Sequence, residues 1–155
     1  MSTQRLVLPN SAATERLGAA LADTIRAGQG GVIYLVGPLG AGKTTLARAL
    51  LRALGVEGAI KSPTYTLVEP YEVAGKKLLH MDLYRLSEPE ELYGLGVFDD
   101  PPDCAWWLVE WPEQGQGVLP AADLLIALSA EGQGRVASLT AHGPTKPDLG
   151  GLQAE

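Results

Sequence analysis

The sequence predicts an α/β fold in which helices flank a mixed sheet with a parallel core and an antiparallel hairpin. Residues 32–36 are apolar throughout, as in a strand that is buried on both faces of a parallel sheet. A glycine-rich loop follows this run and leads into a helical pattern at 46–54. Further along, two strand-like runs meet at Ala74 and Gly75, which predicts a β-hairpin. The antiparallel hairpin beside parallel strands makes the sheet mixed.

The first predicted elements are a short strand at 5–8 and a helix at 14–27. Pro9 and Asn10 lie in the turn between them. We expect Asn10 or Ser11 to cap the helix, because side-chain oxygens of these residue types accept hydrogen bonds from the free N–H groups of the first turn. A glycine-rich stretch then ends the helix just before the buried strand.

The strand pattern continues through the second half of the chain. The hairpin strands are 65–71, which alternates polar and apolar residues, and 76–82. A helix follows, with Ser87 as its predicted cap and Pro89 in its first turn. The remaining predicted strands are 105–109, 124–128 and 135–141.

The 155 residues predict a single domain at 1–143 and a flexible C-terminal tail at 144–155, where prolines and paired glycines occur. Apolar residues make up 46% of the chain, which is typical of a folded globular protein. No apolar run reaches the length that a membrane span needs. The lone Cys104 cannot form a disulfide within the chain, so the expected location is the reducing cytoplasm.

The charge balance argues against a protein that binds nucleic acid by itself. The chain has 12 Lys and Arg against 18 Asp and Glu, a net charge of −6. Affinity for nucleic acid comes mainly from cationic side chains on phosphates. A role that reaches RNA through a protein partner stays open.

The stretch 37–45 fits the Walker A pattern G-x-x-x-x-G-K-[ST], and it stands between a predicted strand and a predicted helix. Its glycines let backbone N–H groups approach phosphate oxygens, while the helix N-terminus attracts the same anion. Lys43 is predicted to reach the β- and γ-phosphates, and the Thr44 hydroxyl to ligate Mg²⁺. The alternative is a plain glycine turn with a solvated Lys43. The residues predicted to contact the nucleotide here are Gly37, Leu39, Gly40, Ala41, Gly42, Lys43, Thr44 and Thr45.

Two further strands are predicted to end in an acidic residue beside this loop. Ligands of open α/β sheets bind beyond the carboxyl ends of the strands. Glu110 ends the more apolar strand and is the better candidate for the Walker B ligand of Mg²⁺. Asp82 is then free to orient or deprotonate the attacking water. The alternatives are a turn or cap aspartate for Asp82 and a surface carboxylate before a proline turn for Glu110.

Three other side chains near these positions allow two interpretations each. Thr64 is either a switch threonine that senses Mg²⁺ and the γ-phosphate or a threonine at a strand start. Trp111 either has a functional role, in which it stacks on a base or lies over the site, or serves packing, which composition alone favours. His80 stands between Leu79 and Met81, which favours a structural role over a catalytic one.

Several sequence blocks in this order resemble the TsaE (YjeE) family, bacterial ATPases of tRNA threonylcarbamoyladenosine biosynthesis. The resemblance runs from about residue 8 to residue 120 and implies a small mixed α/β fold of the P-loop NTPase type. It also implies ATP, Mg²⁺ and slow hydrolysis. The partners it implies are a threonylcarbamoyltransferase and its inactive paralogue, which together modify adenosine 37 of tRNA. Contact of this chain with tRNA is then only indirect. The blocks are 37–45, 62–69, 80–86, 89–92, 108–112 and 117–120.

The resemblance also assigns roles to individual residues. Lys43 and Thr44 match the phosphate and Mg²⁺ positions, and Glu110 matches the second Mg²⁺ ligand. Asp82 matches the residue implicated in hydrolysis, and Thr64 matches the switch segment. Together Asp82, Lys43 and Thr64 form the expected catalytic set.

The remaining assignments from the resemblance concern the nucleotide. Trp111 matches a functionally sensitive aromatic residue. The turn at Pro9 and Asn10 resembles the adenine-side contact of the family, and Arg135 is expected near the nucleotide. Pro38 stands where the family pattern has an acid, which removes one charge contact and leaves the loop pattern intact.

Three functions compete on the sequence alone. The first is an ATPase that resets a tRNA-modifying complex. The second is a small kinase, although kinases need cationic groups over the transferred phosphoryl and the chain has no lid-like cluster of them. The third is a scaffold in which ATP binding alone orders the loop around Thr64 and builds a partner interface.

Overall fold

The computed structural model describes residues 2–142 and residue 147. The boundary predicted between a domain and a tail falls at the edge of this range. Nearly all of 144–155 lies outside the described residues, so that division stays a prediction. Within the described part, neither α-helix is long and apolar enough to cross a bilayer. The cytoplasmic location also stays a prediction.

Two α-helices occur in the described residues, α1 (Ser11–Ala27) and α2 (Lys43–Ala53). Asn10 caps α1, because its Oδ1 accepts a hydrogen bond from the N–H of Ala13 at 3.0 Å. Of the two predicted caps Asn10 is therefore the right one, and the helix begins three residues before the predicted start. The second helix begins directly at Lys43, earlier than the apolar periodicity indicated.

In the described part of the chain seven strands form a single sheet, and the predicted mixed α/β fold class is confirmed. In spatial order the strands run β1-β7-β6-β2-β5-β4-β3. Strands β6, β2, β5 and β4 are parallel and form the centre. Their bounds are β1 (Ser2–Leu8), β2 (Gly31–Val36), β3 (Val68–Val73), β4 (Lys76–Asp82), β5 (Ala105–Glu110), β6 (Leu124–Glu131) and β7 (Gly134–Ala141).

Antiparallel pairs close both ends of the parallel centre. The predicted hairpin is present, with β3 antiparallel to β4. At the other end β7 pairs antiparallel with both β6 and β1. The sheet thus contains more antiparallel pairing than the single hairpin that the sequence predicted.

Strand alternation divides the core into two layers. Ile33, Leu35 and Leu108 point to the face that α1 and α2 cover. Val32 and Val109 point to the opposite face, where short 3₁₀ segments pack. These segments are Pro89–Leu95, Val97–Asp99 and Pro112–Gly115. The alternation also places the polar ends of β4 and β5, because residues two apart share a face.

Two predicted boundaries are wrong for local reasons. Strand β3 begins at Val68 and not at residue 65, because the N–H of Leu67 donates to the carbonyl of Pro63 at 2.7 Å and Leu67 adopts a φ of 69°. The helix after β4 is a 3₁₀ segment that Glu88 caps in place of Ser87. Glu88 and Glu91 form a reciprocal capping box there.

Candidate functional site

The loop with the Walker A pattern, residues 37–45, joins β2 to α2 in the strand–loop–helix order that the sequence predicted. Gly37 has a φ of 147°, and a Cβ there would lie 2.4 Å from the carbonyl oxygen of Leu128. Gly42 caps α2 in the left-handed region with a φ of 104°. Only glycine adopts both conformations without strain, so the loop needs these two residues for its shape.

Lys43 lies inside the loop and not in solvent. Its side chain is held in two ways: Nζ donates to the carbonyl of Gly37, and it lies 3.5 Å from the centre of the Trp111 ring. The residue is 5% exposed. Burial lowers the pKa of Lys43, while the negative charges of Glu110, Glu113 and Asp82 act in the opposite direction. The alternative of a solvated lysine in a plain glycine turn does not describe this residue.

Glu110 ends β5 as a fully buried carboxylate. Its Oε1 accepts a hydrogen bond from the Thr44 hydroxyl at 3.0 Å. Its Oε2 lies 2.7 Å from Nε2 of His80. At 1% exposure it is not the surface carboxylate that the alternative interpretation described.

Asp82 ends β4 and is the register partner of Glu110 on the neighbouring strand. Its Oδ1 accepts from the backbone N–H of Tyr84 at 3.0 Å, so Asp82 does form the turn contact of the alternative interpretation. Its Oδ2 lies 3.4 Å from the Thr64 hydroxyl, which donates to it. Asp82 therefore forms the turn contact and also lies in the candidate site.

Burial is the main influence on the Asp82 carboxyl and raises its pKa. The charge of Glu110 raises it further. The hydrogen bonds from Tyr84 and Thr64 and the proximity of His80 act in the opposite direction. The net effect is a carboxylate that holds a proton more readily than an ordinary aspartate, as a proton acceptor requires.

Trp111 lies over the loop, as one of its two interpretations proposed. It follows Glu110 directly and adopts a left-handed conformation, with a φ of 58°. Its ring packs against Tyr84, with 4.9 Å between the ring centres, and covers the amine of Lys43. Packing and a position at the site are thus combined in one side chain.

Gly42 and Arg135 line two clefts beside the Walker A loop. The larger, of about 480 Å³, contains Lys43, Thr44, Thr64, Asp82, Glu110 and Trp111. Leu39, Gly40, Ala41 and Thr45 line it as well. The smaller, of about 210 Å³, is lined by Asn10, Ser11, Thr14, Leu128 and Gln133 among others.

Three residues outside the loop were predicted to lie near the nucleotide: Pro9, Asn10 and Arg135. A Cβ on Gly42 would lie 3.2 Å from Nε of Arg135, so the guanidinium group adjoins the loop. Asn10 lines the smaller cleft, although its Oδ1 is engaged in capping α1. Pro9 is not among the lining residues, and its backbone packs against Gly134. Asn10 and Arg135 therefore line the clefts beside the loop, whereas Pro9 does not.

The sequence interpretation missed the contacts of two residues. His80 was predicted to be structural, yet its ring contacts the carboxylate of Glu110 directly. Arg85 lines the larger cleft, and its guanidinium carbon lies 4.4 Å from the centre of the Tyr65 ring. The spacing of His80 and Asp82 was a usable signal, because residues two apart in a strand share a face.

Similarity to known proteins agrees with this geometry. The family model described as "Threonylcarbamoyl adenosine biosynthesis protein TsaE" matches residues 8–137. A TsaE protein from Nostoc, named as a tRNA threonylcarbamoyladenosine biosynthesis protein, is 36% identical over 152 residues, which cover 94% of this chain and 90% of the relative. A protein of the same name from Haemophilus influenzae is 55% identical over 95 residues, 61% of this chain and 60% of the relative. The chain thus spans less than two thirds of that relative's length.

A solved structure shares the fold as well. The crystal structure of Bacillus subtilus YdiB superposes with a TM-score of 0.70 at 28% identity, and the match covers 92% of this chain and 87% of that one. The fold, the sequence blocks and the family match over residues 8–137 lead to one conclusion. The chain belongs to the TsaE family.

Proposed function

We propose that this chain is a Mg²⁺-dependent ATPase subunit required for threonylcarbamoyl modification of adenosine 37 in tRNA. It acts on a threonylcarbamoyltransferase and its inactive paralogue, and ATP turnover resets their complex. The observation that carries the proposal is the cleft of about 480 Å³ that combines the phosphate-binding loop with two buried strand-end carboxylates. The names of the relatives support the place in tRNA modification.

ATP binding is assigned to the loop and to the start of α2. Backbone N–H groups of the loop and the positive end of the α2 dipole attract the phosphates. Lys43 exchanges its bond to the carbonyl of Gly37 for one to a phosphate oxygen. The nucleoside extends into the smaller cleft, where Asn10 and Arg135 are in position to contact it.

Thr44 and Glu110 form a donor set that fits Mg²⁺. Mg²⁺ in such enzymes is held through one or two carboxylates together with substrate phosphates. The Thr44 hydroxyl and Oε1 of Glu110 lie 3.0 Å apart and supply two oxygens at the loop. When bound, the ion supplies positive charge against the β- and γ-phosphate oxygens.

Hydrolysis requires a water oxygen to bond to the γ-phosphorus while the bond between the γ-phosphorus and the β,γ-bridging oxygen breaks. The products are ADP and phosphate. Asp82 accepts the proton that the water loses, and burial of the carboxyl favours this role. Thr64 donates to Asp82 and keeps Oδ2 directed toward the cleft. Trp111 covers Lys43 and limits the access of other water to it.

The proposed partners agree with the charge of the chain. A net charge of −6 suits contact with a partner enzyme better than direct contact with tRNA. In this proposal the chain works in the cytoplasm and reaches tRNA only through the transferase complex.

The test is tRNA threonylcarbamoylation in a reconstituted mixture of the transferase, its paralogue, tRNA and activated threonylcarbamoyl donor. We expect modified tRNA to accumulate beyond one turnover only when this chain and ATP are both present. Lys43→Ala removes the loop cation and is expected to abolish that accumulation. Equal accumulation without the chain would refute the proposal.

A further inference from the structure

His80 and Glu110 form a fully buried pair between two adjacent parallel strands. Nε2 of His80 lies 2.7 Å from Oε2 of Glu110, and their side chains are 1% and 2% exposed. His80 lies opposite Leu108 in the register, so it reaches Glu110 diagonally across the sheet. The contact is therefore fixed by the β4–β5 pairing and not by a mobile loop.

The geometry also assigns the proton of the imidazole ring. An ionised carboxylate only accepts hydrogen bonds, so Nε2 carries the proton in this contact. Nδ1 is buried and has no hydrogen-bond partner among residues 2–142 and 147. The polar contact that the described residues give the ring is therefore the one between Nε2 and Oε2 of Glu110.

This contact makes the two oxygens of Glu110 different. Oε2 is engaged by His80, while Oε1 is turned toward the Thr44 hydroxyl. Without the imidazole donor, Oε2 would be a buried acceptor with no partner shown by the described residues. The carboxylate would then be free to rotate away from Thr44.

We propose that His80 is a positioning residue that orients Glu110 so that Oε1 faces the metal position beside Thr44. This inference rests on the proposed function, because it concerns the same metal and nucleotide. His80 touches neither of them itself. Its effect is on metal-dependent binding, and phosphate binding by the loop is independent of it.

The test compares His80→Gln, His80→Asn and His80→Leu in the full chain. A Gln amide extends as far as Nε2 of the imidazole and retains a donor toward Glu110, whereas an Asn amide is shorter and does not reach it. Leu replaces the ring by an apolar side chain among apolar neighbours. The Asn variant therefore controls for polarity, and it replaces the Leu variant should that one not fold.

The measurement is the calorimetric affinity for ADP with and without Mg²⁺, so it needs no ATPase activity. We expect His80→Asn and His80→Leu to lose roughly 10- to 100-fold of the gain that Mg²⁺ produces, as for other partners of metal ligands. Their ADP affinity without metal stays unchanged, which shows that the loop is intact. His80→Gln keeps most of the gain.

The outcomes distinguish a failure of the proposed function from a failure of the inference about His80. If the unaltered chain shows no gain with Mg²⁺, the proposed function fails and the inference falls with it. If the unaltered chain shows the gain and the Asn variant keeps it in full, only the inference is overturned. A folded Gln variant that loses as much as Asn also overturns it. Nitrogen-15 NMR of the ring gives an independent readout, and an Nε2 that carries no proton would contradict the proposal, because the ring would then donate nothing to Glu110.

Discussion

The carboxyl ends of β4 and β5 lie side by side and each bears one acidic residue, yet the two carboxylates are held differently. Glu110 has a side-chain partner on each oxygen, Thr44 on one and His80 on the other. Asp82 has a backbone partner on one oxygen and only the long contact of 3.4 Å to Thr64 on the other. A carboxylate fixed at both oxygens suits a metal ligand, whereas one with a weakly held oxygen suits a proton acceptor.

The difference shows that position in the sheet does not by itself decide the role of a residue. Both acids come last in apolar parallel strands and are register partners. Their partners come from other segments: the start of α2 and strand β4 for Glu110, and the segments before β3 and after β4 for Asp82. Substitutions at each end therefore separate the two roles.

The largest expected effect is on hydrolysis in Asp82→Asn. The amide retains the shape and the contact with Tyr84 but cannot take a proton from water, so we expect the ATPase rate of the reconstituted complex to fall by roughly 10²- to 10⁴-fold. Binding of ATP with Mg²⁺ stays close to that of the unaltered chain. Phosphate release measures the first quantity and calorimetry the second. If tRNA modification still turns over many times in this variant, ATP binding alone suffices and the scaffold hypothesis is the better one.

Glu110→Gln is expected to affect nucleotide binding, whereas Asp82→Asn is expected to affect hydrolysis. The amide keeps the volume but replaces one ligand oxygen by a poor one, so the gain in nucleotide affinity from Mg²⁺ falls by at least the roughly 10- to 100-fold that the loss of a ligand's partner costs. Affinity measured in a chelator stays unchanged. Equal losses with and without the metal would mean that Glu110 supports the loop and does not hold the ion.

Substitution of Thr64 tests how weakly the second oxygen of Asp82 is held. Thr64→Val keeps the size and removes the hydroxyl, and Thr64→Ser keeps the hydroxyl. A hydrogen bond to a charged group contributes about 1.5–3 kcal/mol, and the length of 3.4 Å places this one at the lower end. We therefore expect Val to slow hydrolysis by about tenfold and Ser to restore most of the rate. A loss as large as that of Asp82→Asn would make Thr64 an essential switch residue.

The smallest expected effect is on stability, and it depends on pH. Below the ordinary pKa of 3.8 Asp82 is protonated in both the folded and the unfolded chain. As the pH rises, the unfolded chain loses the proton first, because burial raises the pKa in the folded state, and the folded chain is destabilised. Asp82→Asn should therefore raise the Tm at neutral pH, where each 1 kcal/mol corresponds to roughly 2–4 °C in a domain of this size.

That gain should shrink as the pH falls toward 3.8. Thermal melts of both chains across this range measure it. A gain that grows in acid would mean that the folded chain stabilises the ionised carboxylate, contrary to the direction derived from its burial.

The sequence was informative where function depends on local geometry. The loop at 37–45 carries its own conformation in Gly37 and Gly42, so motif and context sufficed to predict it. The acids at the ends of β4 and β5 followed from one topological fact, that parallel strands end at the same edge of a sheet. The cap of α1 followed from a side chain that bonds three residues away.

Contacts that depend on register or on tertiary packing did not follow from the sequence. Whether His80 meets Glu110 depends on how β4 slides against β5, and a shift of one residue would turn it to the other face. Trp111 covers Lys43 only because its backbone takes a left-handed conformation that no local signal indicates. The antiparallel pairing of β1 with β7 joins the first and the last strand of the described sequence at one edge of the sheet, and no short pattern predicts it.

The most direct test of the two carboxylate roles is the affinity for ATP, measured by calorimetry with and without Mg²⁺, in the unaltered chain, Asp82→Asn and Glu110→Gln. We expect Mg²⁺ to strengthen ATP binding in the unaltered chain and in Asp82→Asn alike. Glu110→Gln should lose most of this gain and keep its affinity without the metal. Loss of the gain in Asp82→Asn, with Glu110→Gln unaffected, would contradict the assignment of the metal to β5 and exchange the roles of the two strand ends.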